Sequence, residues 1–175
     1  NESKNIIFYM PTWRPWFKKG FLEPSSKDIE QFSSSTFFHK ICQVCTSEEL
    51  NELLKKNDYI LEVYIHKLMH KYLENINSLQ KLSNIRILEK NTNIQSCIIK
   101  SKILITDYSS IFFDFLYLNK PVLLYQFDKK EYYEKTEGSY ISDREIDNIL
   151  VTNFEELIDQ ITYKIKFFNT NIDQE

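Results

Sequence analysis

Short apolar runs alternating with amphipathic stretches constrain this chain more than any other feature. Ile6 to Met10, Ile60 to Ile65, Ile85 to Leu88, Ile103 to Thr106 and Val122 to Tyr125 are each four to six residues long and largely apolar. Strands buried on both faces read as near-continuous apolar runs rather than as alternating ones. With helical patterns between them, such runs predict βαβ units. The expected fold class is therefore α/β, a Rossmann-like parallel sheet with helices on both faces.

The helices are placed by their caps. Thr46-Ser47-Glu48-Glu49 reads as a capping box opening a helix through Asn57, and Thr92 to Gln95 as another, opening a short helix to Lys100. Leu68 to Leu79 reads as helical. Ser109 or Ser110 caps a helix to Leu118, which Asn119-Lys120-Pro121 ends, and Asn153 to Glu156 caps a last helix to Phe168. The stretch from Pro11 to Phe38, with Pro11, Pro15, Pro24 and the serines 33–35, reads as irregular, with room for short helices.

Ligands of such sheets bind outside the carboxyl ends of the strands. The residues to watch are Pro11 to Arg14, His66, Glu89 to Thr92, Asp107 to Ser110 and Gln126 to Asp128. Glycine limits how a phosphate is held there. The chain has only two, Gly20 and Gly138. A GxGxxG turn, a P-loop and a GxSxG elbow each need at least two close together, so all three are excluded. The net charge of −3 gives no reason to expect a nucleic-acid partner. Three cysteines, Cys42, Cys45 and Cys97, make no disulfide framework. No apolar run reaches the about 18 residues of a transmembrane helix. A strand that starts almost at the first residue, Asn1, looks like a domain taken from a longer protein.

Four groups of residues carry possible chemistry. Strand 103–106 delivers Thr106 and Asp107 to its end, and Ser109 and Ser110 open the next helix. Their hydroxyls and the free backbone N–H groups of a first turn form an anion site that needs no glycine; the plainer reading makes Asp107 and Ser109 ordinary caps. Arg14 is one of three arginines among 22 basic residues. It reads equally as a fork for phosphate or as a surface residue stacked on Trp13 or Trp16. His66, at a strand end, suits acid–base work or phosphate contact, and with His70 it offers a two-ligand start to a metal site that lacks a third. Cys42 and Cys45 read as half-buried reduced thiols. The aromatic pairs Tyr132-Tyr133 and Phe112-Phe113, and Tyr140, read as base-stacking or, more often, core residues. No metal or other cofactor is expected.

At these residues the pattern resembles a known family. Y-M-P-T-W-R, a strand ending in His66, L-I-T-D-Y-S-S-I-F-F-D-F and K-P-V-L-L-Y-Q-F-D follow in order from Ile6 to Asp128, as in the CDP-glycerol glycerophosphotransferases, which include teichoic acid and capsule poly(glycerol phosphate) polymerases. The resemblance implies the C-terminal, donor-binding half of a glycosyltransferase-B fold, here one domain over residues 1–175 of a two-domain enzyme. It maps an essential histidine onto His66 and donor binding onto Asp107, Tyr108, Ser109 and Ser110, with Asp114 next on the helix. Thr12, Arg14 and Thr106 complete the expected substrate-binding set. The implied partners are a CDP-glycerol or related CDP-polyol donor, a polyol-phosphate or glycan acceptor, and an N-terminal domain. The implied location is peripheral, at the cytoplasmic face of a bacterial membrane. Alone, the chain is expected to bind nucleotide weakly and not to turn over.

Lys67 stands where many relatives have proline, Glu137 precedes Gly138 in place of a basic residue, and Ile141 to Glu145 replaces an acidic-aromatic segment. These departures leave the polyol of the donor open. A sugar-nucleotide glycosyltransferase of the same fold and a non-catalytic interaction module are the alternatives.

Overall fold

The computed structural model describes residues 5–17, 24–66, 69–73, 82–136, 146 and 148–172. Six strands form one sheet: β1 (Asn5–Tyr9), β2 (Tyr59–Val63), β3 (Ile85–Ile87), β4 (Ile103–Thr106), β5 (Val122–Tyr125) and β6 (Leu150–Val151). Their order is β3-β2-β1-β4-β5-β6, and every pairing is parallel. This is the Rossmann strand order. In register, Ile7 lies beside Leu61 on one side and Ile103 on the other. All five predicted strands are present at nearly their expected bounds. Met10 lies just past β1 but continues the ladder, its N–H donating to Ile105 O at 2.9 Å.

The pleat explains why the runs are apolar throughout. Ile7, Tyr9, Leu61, Val63, Ile103, Ile105, Leu123 and Tyr125 point into one core with Phe32, Phe37, Ile41, Leu54 and Leu157. The alternate residues Phe8, Leu104, Val122 and Leu124 point into a second core with Cys97, Ile111, Phe112 and Phe115. The sheet is thus covered on both faces, as its composition requires.

The helices are α1 (Ser26–Ser33), α2 (Thr36–Thr46), α3 (Glu48–Lys56), α4 (His70–Leu73), α5 (Ile94–Lys100), α6 (Ile111–Tyr117), α7 (Lys129–Lys135) and α8 (Phe154–Ile172). The region from Pro11 to Phe38 is more ordered than the sequence suggests. A 3-10 turn spans Pro15–Phe17, and two helices follow. Ser25 Oγ accepts from Asp28 N while the Asp28 carboxylate accepts from Ser25 N at 3.0 Å, a capping box. Ser35 caps α2 by accepting from Phe38 N at 3.2 Å. The serine patch therefore marks a helix boundary.

Two predicted caps move by one residue. Thr46 closes α2, its hydroxyl donating to Cys42 O at 2.8 Å, and Ser47 caps α3. Asn93, not Thr92, caps α5 by accepting from Ser96 N at 3.0 Å. Asn153 accepts from Glu156 N at 2.9 Å at the head of α8, which runs on past Phe168 to Ile172. Of the helix expected over 68–79, only His70–Leu73 lies among the described helical residues. Gly20, Lys67, Glu137, Gly138, Tyr140 and the 141–145 segment lie outside the described residues. No helix among the described residues is long and apolar enough to cross a membrane.

Candidate functional site

The strand order reverses direction between β1 and β4, and the loops leaving these two strands face each other across the switch point. Side chains lace the two loops together. Thr106 Oγ1 donates to Met10 O at 2.7 Å, and Thr12 N donates to Asp107 Oδ1 at 2.8 Å. Asp107 Oδ1 also accepts from Tyr108 N at 2.7 Å. The turn after β5 joins in, since Gln126 Nε2 donates to Asp107 O at 3.0 Å. Asp107 is buried, and these bonds make it the anchor of the Asp107–Ser110 loop. Thr106 is buried with its hydroxyl turned to the β1 loop, so it organises the strand ends.

Arg14 lies under this lacing with 0% of its surface exposed. Its Nε and Nη2 donate to Asp128 Oδ2 and Oδ1 at 2.7 and 2.9 Å. Nη1 donates to Thr12 O at 2.7 Å and stands 2.8 Å from Asp107 Oδ2. Burial works to lower its pKa, but the carboxylates of Asp107 and Asp128 outweigh it and hold the guanidinium charged. The expectation of a surface arginine on Trp13 or Trp16 is corrected. The guanidinium carbon lies 4.3 Å from the Phe37 ring centre, 5.0 Å from Tyr108 and 5.3 Å from Tyr132. Trp13 packs on Phe17 and Tyr72, and Trp16 lies under Lys135. The reason is electrostatic: two buried carboxylates need a planar cation between them, and that demand outweighs stacking at the surface. One cation against two anions leaves the cluster at a formal charge of −1. A bound phosphate therefore has to look elsewhere for its donors.

Tyr108 completes the cluster. Its hydroxyl donates to Asp128 Oδ1 at 3.1 Å, and its ring stacks on Tyr132 of α7 with centres 3.6 Å apart and planes 8° from parallel. Burial and the charge of Asp128 raise the phenol's pKa, so it stays protonated and keeps donating. Tyr132 is thus occupied by another ring, and Phe112 lies in the core while Phe113 is exposed.

Of the next two residues, Ser109 is half-buried and Ser110 exposed. Ser110 stands at the N-cap of α6, yet its side chain makes no capping bond. Ser109 Oγ accepts from Ile111 N only at a long 3.5 Å. The plain capping reading is therefore weak for both. His66 is half-buried just beyond β2. Only β1 separates β2 from β4, so the ends of these strands are about 10 Å apart at ordinary strand spacing. Asp114 is not brought in. It lies one turn down α6, exposed, and lines a shallow depression with Gln95, Ile98, Ile99, Tyr117 and Leu118. His70 Nε2 lies 3.1 Å from Ile65 O, so the backbone engages that nitrogen, and no group of three metal-ligating side chains occurs among the described residues. Cys42 and Cys45 are free thiols on α2. Around the lacing, Thr12 Oγ1 and Gln126 Oε1 are buried without a hydrogen-bond partner among the described residues.

Sequence reasoning placed Gln126 to Asp128 at the right edge of the sheet but gave them no role. The available signal was an aspartate directly after a buried strand in a chain with three arginines.

With this geometry in view, the family model described as CDP-glycerol:poly(glycerophosphate) glycerophosphotransferase matches residues 1–171. The chain belongs to that family. The minor teichoic acid biosynthesis protein GgaB of Bacillus subtilis (strain 168) is 28% identical over 172 residues, covering 95% of this chain and 18% of that protein. The teichoic acid poly(glycerol phosphate) polymerase of Bacillus spizizenii is 34% identical over 142 residues, covering 80% of this chain and 31% of that protein. The chain thus spans about a fifth to a third of the length of these two curated relatives. Among solved structures, the wall teichoic acid polymerase TagF superposes with a TM-score of 0.52 at 22% identity, over 96% of this chain and 38% of that one. That likeness shows a shared fold, matched over part of a larger chain.

Proposed function

We propose that the chain is the donor-binding half of a CDP-glycerol or related CDP-polyol glycerophosphotransferase. It would act with an N-terminal domain at the cytoplasmic face of a bacterial membrane. The observation that carries this reading is the family match over residues 1–171; it is supported by a parallel sheet in which Ser109 and Ser110 follow β4 and His66 follows β2, one strand apart. In the reaction, an acceptor hydroxyl of the growing teichoic acid or capsule polymer attacks the β-phosphorus of the donor. The new P–O bond forms as the bond to the bridging oxygen breaks, CMP leaves with that oxygen, and the hydroxyl proton goes to a base.

Ser109 and Ser110 contact the donor phosphates, and His66 contacts the diphosphate or takes the proton. Thr12 offers its unpartnered hydroxyl from the facing loop. Asp107, Thr106 and Tyr108 hold the loop in place. Arg14 acts from beneath, because its fork is already engaged by Asp107, Asp128 and Thr12 O. Asp114 stands apart from this set.

Calorimetric titration of the chain with CDP-glycerol, CMP and UDP-glucose tests the reading. Weak but saturable binding of the two cytidine ligands, weakened on Ser110→Ala, is expected. Tighter binding of UDP-glucose would favour a sugar-transferring enzyme, and no binding of any nucleotide would favour a non-catalytic module.

A further inference from the structure

We propose that Asp128 is a positioning residue that sets the aim of the Ser109-Ser110 loop through Arg14 and Tyr108. Three observations carry this. First, Asp128 is buried and grips the guanidinium of Arg14 along one edge with both carboxylate oxygens. A fork held at two points cannot rotate in its plane. The opposite edge of the same fork meets Thr12 O and Asp107 Oδ2, so the orientation that Asp128 imposes passes directly to both switch-point loops. Second, Asp128 Oδ1 also accepts from the Tyr108 hydroxyl. Tyr108 immediately precedes Ser109, and its ring is held a second time by the stack on Tyr132 of α7. Third, Asp128 is itself the residue that leads into α7. One carboxylate thereby joins three chain segments: the loop after β1, the loop after β4, and α7.

Asp128 reaches the serines along the chain from Tyr108, which precedes Ser109, and through Arg14 to Asp107 at the base of the same loop, so its effect on a ligand is indirect. Its loss leaves Arg14 buried with one carboxylate instead of two. The guanidinium then swings toward Asp107, and the bonds from Thr12 N and Tyr108 N to Asp107 Oδ1 loosen.

The test compares Asp128→Asn, Tyr108→Phe and a control, Leu157→Ala, in the intact chain. Leu157 is a fully buried core residue of α8 outside this network. Amide hydrogen exchange is read at Thr12 and Tyr108, and affinity is read by calorimetry with CDP-glycerol well below each melting point. The affinity arm rests on the proposed donor site; the exchange arm does not. In Asp128→Asn, exchange at both amides should accelerate and donor affinity should fall about tenfold or more, as for a lost charged hydrogen bond. Tyr108→Phe, which removes a single bond and serves if Asp128→Asn fails to fold, should shift both readouts in the same direction by less. Leu157→Ala should lower the melting temperature with neither effect. If Asp128→Asn and the control change affinity and exchange equally for equal loss of stability, the positioning role is overturned. If the wild-type chain binds no CDP-glycerol, the donor-site reading falls. The exchange arm then decides alone: faster exchange in Asp128→Asn supports the role, and unchanged exchange overturns it.

Discussion

Arg14 and Asp128, 114 residues apart in the chain, meet in a two-pronged ion pair with both N–O distances below 3 Å. The pair closes the sheet edge from β1 to β5, and Asp107 shares the cation from the other side. Such a triad is a strong constraint and a liability. Its members hold one another only as long as all are present, because each alone is a charge without water.

Removing the cation should therefore be costly. Arg14→Met leaves Asp107 and Asp128 facing each other in a dry site. We expect a loss of about 3–5 kcal/mol of unfolding free energy, the usual cost of breaking a buried ion pair from one side. Urea denaturation of the variant beside wild type measures it. A change within about 0.5 kcal/mol, typical of a surface site, would contradict the burial of Arg14.

The thiols give a pH-dependent expectation. Burial pushes Cys42 up to about 11 and Cys45 up to about 12, from an ordinary 9.0. A group whose folded pKa is raised stabilises fully below its unfolded value and loses that contribution as pH rises toward the folded value. The melting temperature should accordingly fall between about pH 9 and pH 12, with the raised tyrosines Tyr9, Tyr59 and Tyr125 acting in the same direction. At pH 8, iodoacetamide should modify Cys42 slowly and Cys45 only on unfolding, because the thiolate is the reactive form. Fast labelling of Cys45 in the native chain would sink this.

The strands were legible because two-sided burial leaves a run with nowhere to put a polar residue. β6 was not, since its two residues carry no pattern of their own. α1 and α2 were hidden by their caps: Ser25 and the serines 33–35 look like loop residues until Asp28 and Phe38 are seen to donate to them. Ser109, Ser110 and His66 could be placed at the sheet edge from strand ends alone. The role of Asp128 could not, because nothing local signals that its partner is Arg14.

Among the described non-glycine residues, Asp58 with φ 59° and Asn119 with φ 52° adopt left-handed backbone conformations. Asn119 ends α6, and the next residue, Lys120, caps α5 by donating from Nζ to Ile98 O and Ile99 O at 2.8 and 2.6 Å. A β-carbon costs roughly 1–2 kcal/mol there, least for asparagine and aspartate. Asn119→Val should destabilise by about that amount, while Asn119→Gly should be neutral or slightly stabilising. Thermal melts of the pair check the sign; equal effects would mean that the turn does not need the left-handed conformation.

Ser110 separates a structural role from a binding role most cleanly. A capping serine replaced by alanine costs about 1 kcal/mol, but Ser110 is exposed and its side chain makes no capping bond to α6. Ser110→Ala should therefore leave the melting temperature within the range of an ordinary surface substitution, about 0.5 kcal/mol. If its hydroxyl contacts a donor phosphate, the same change should weaken CMP or CDP-glycerol binding by about 1 kcal/mol, rising to roughly 1.5–3 kcal/mol for a charged acceptor. Ser109→Ala loses the long bond to Ile111 N as well, so a small stability loss should accompany its loss of affinity. Melts and calorimetry on both variants resolve the two effects. Unchanged affinity in both would remove the serines from the donor site; lost stability with unchanged affinity would return them to the role of caps.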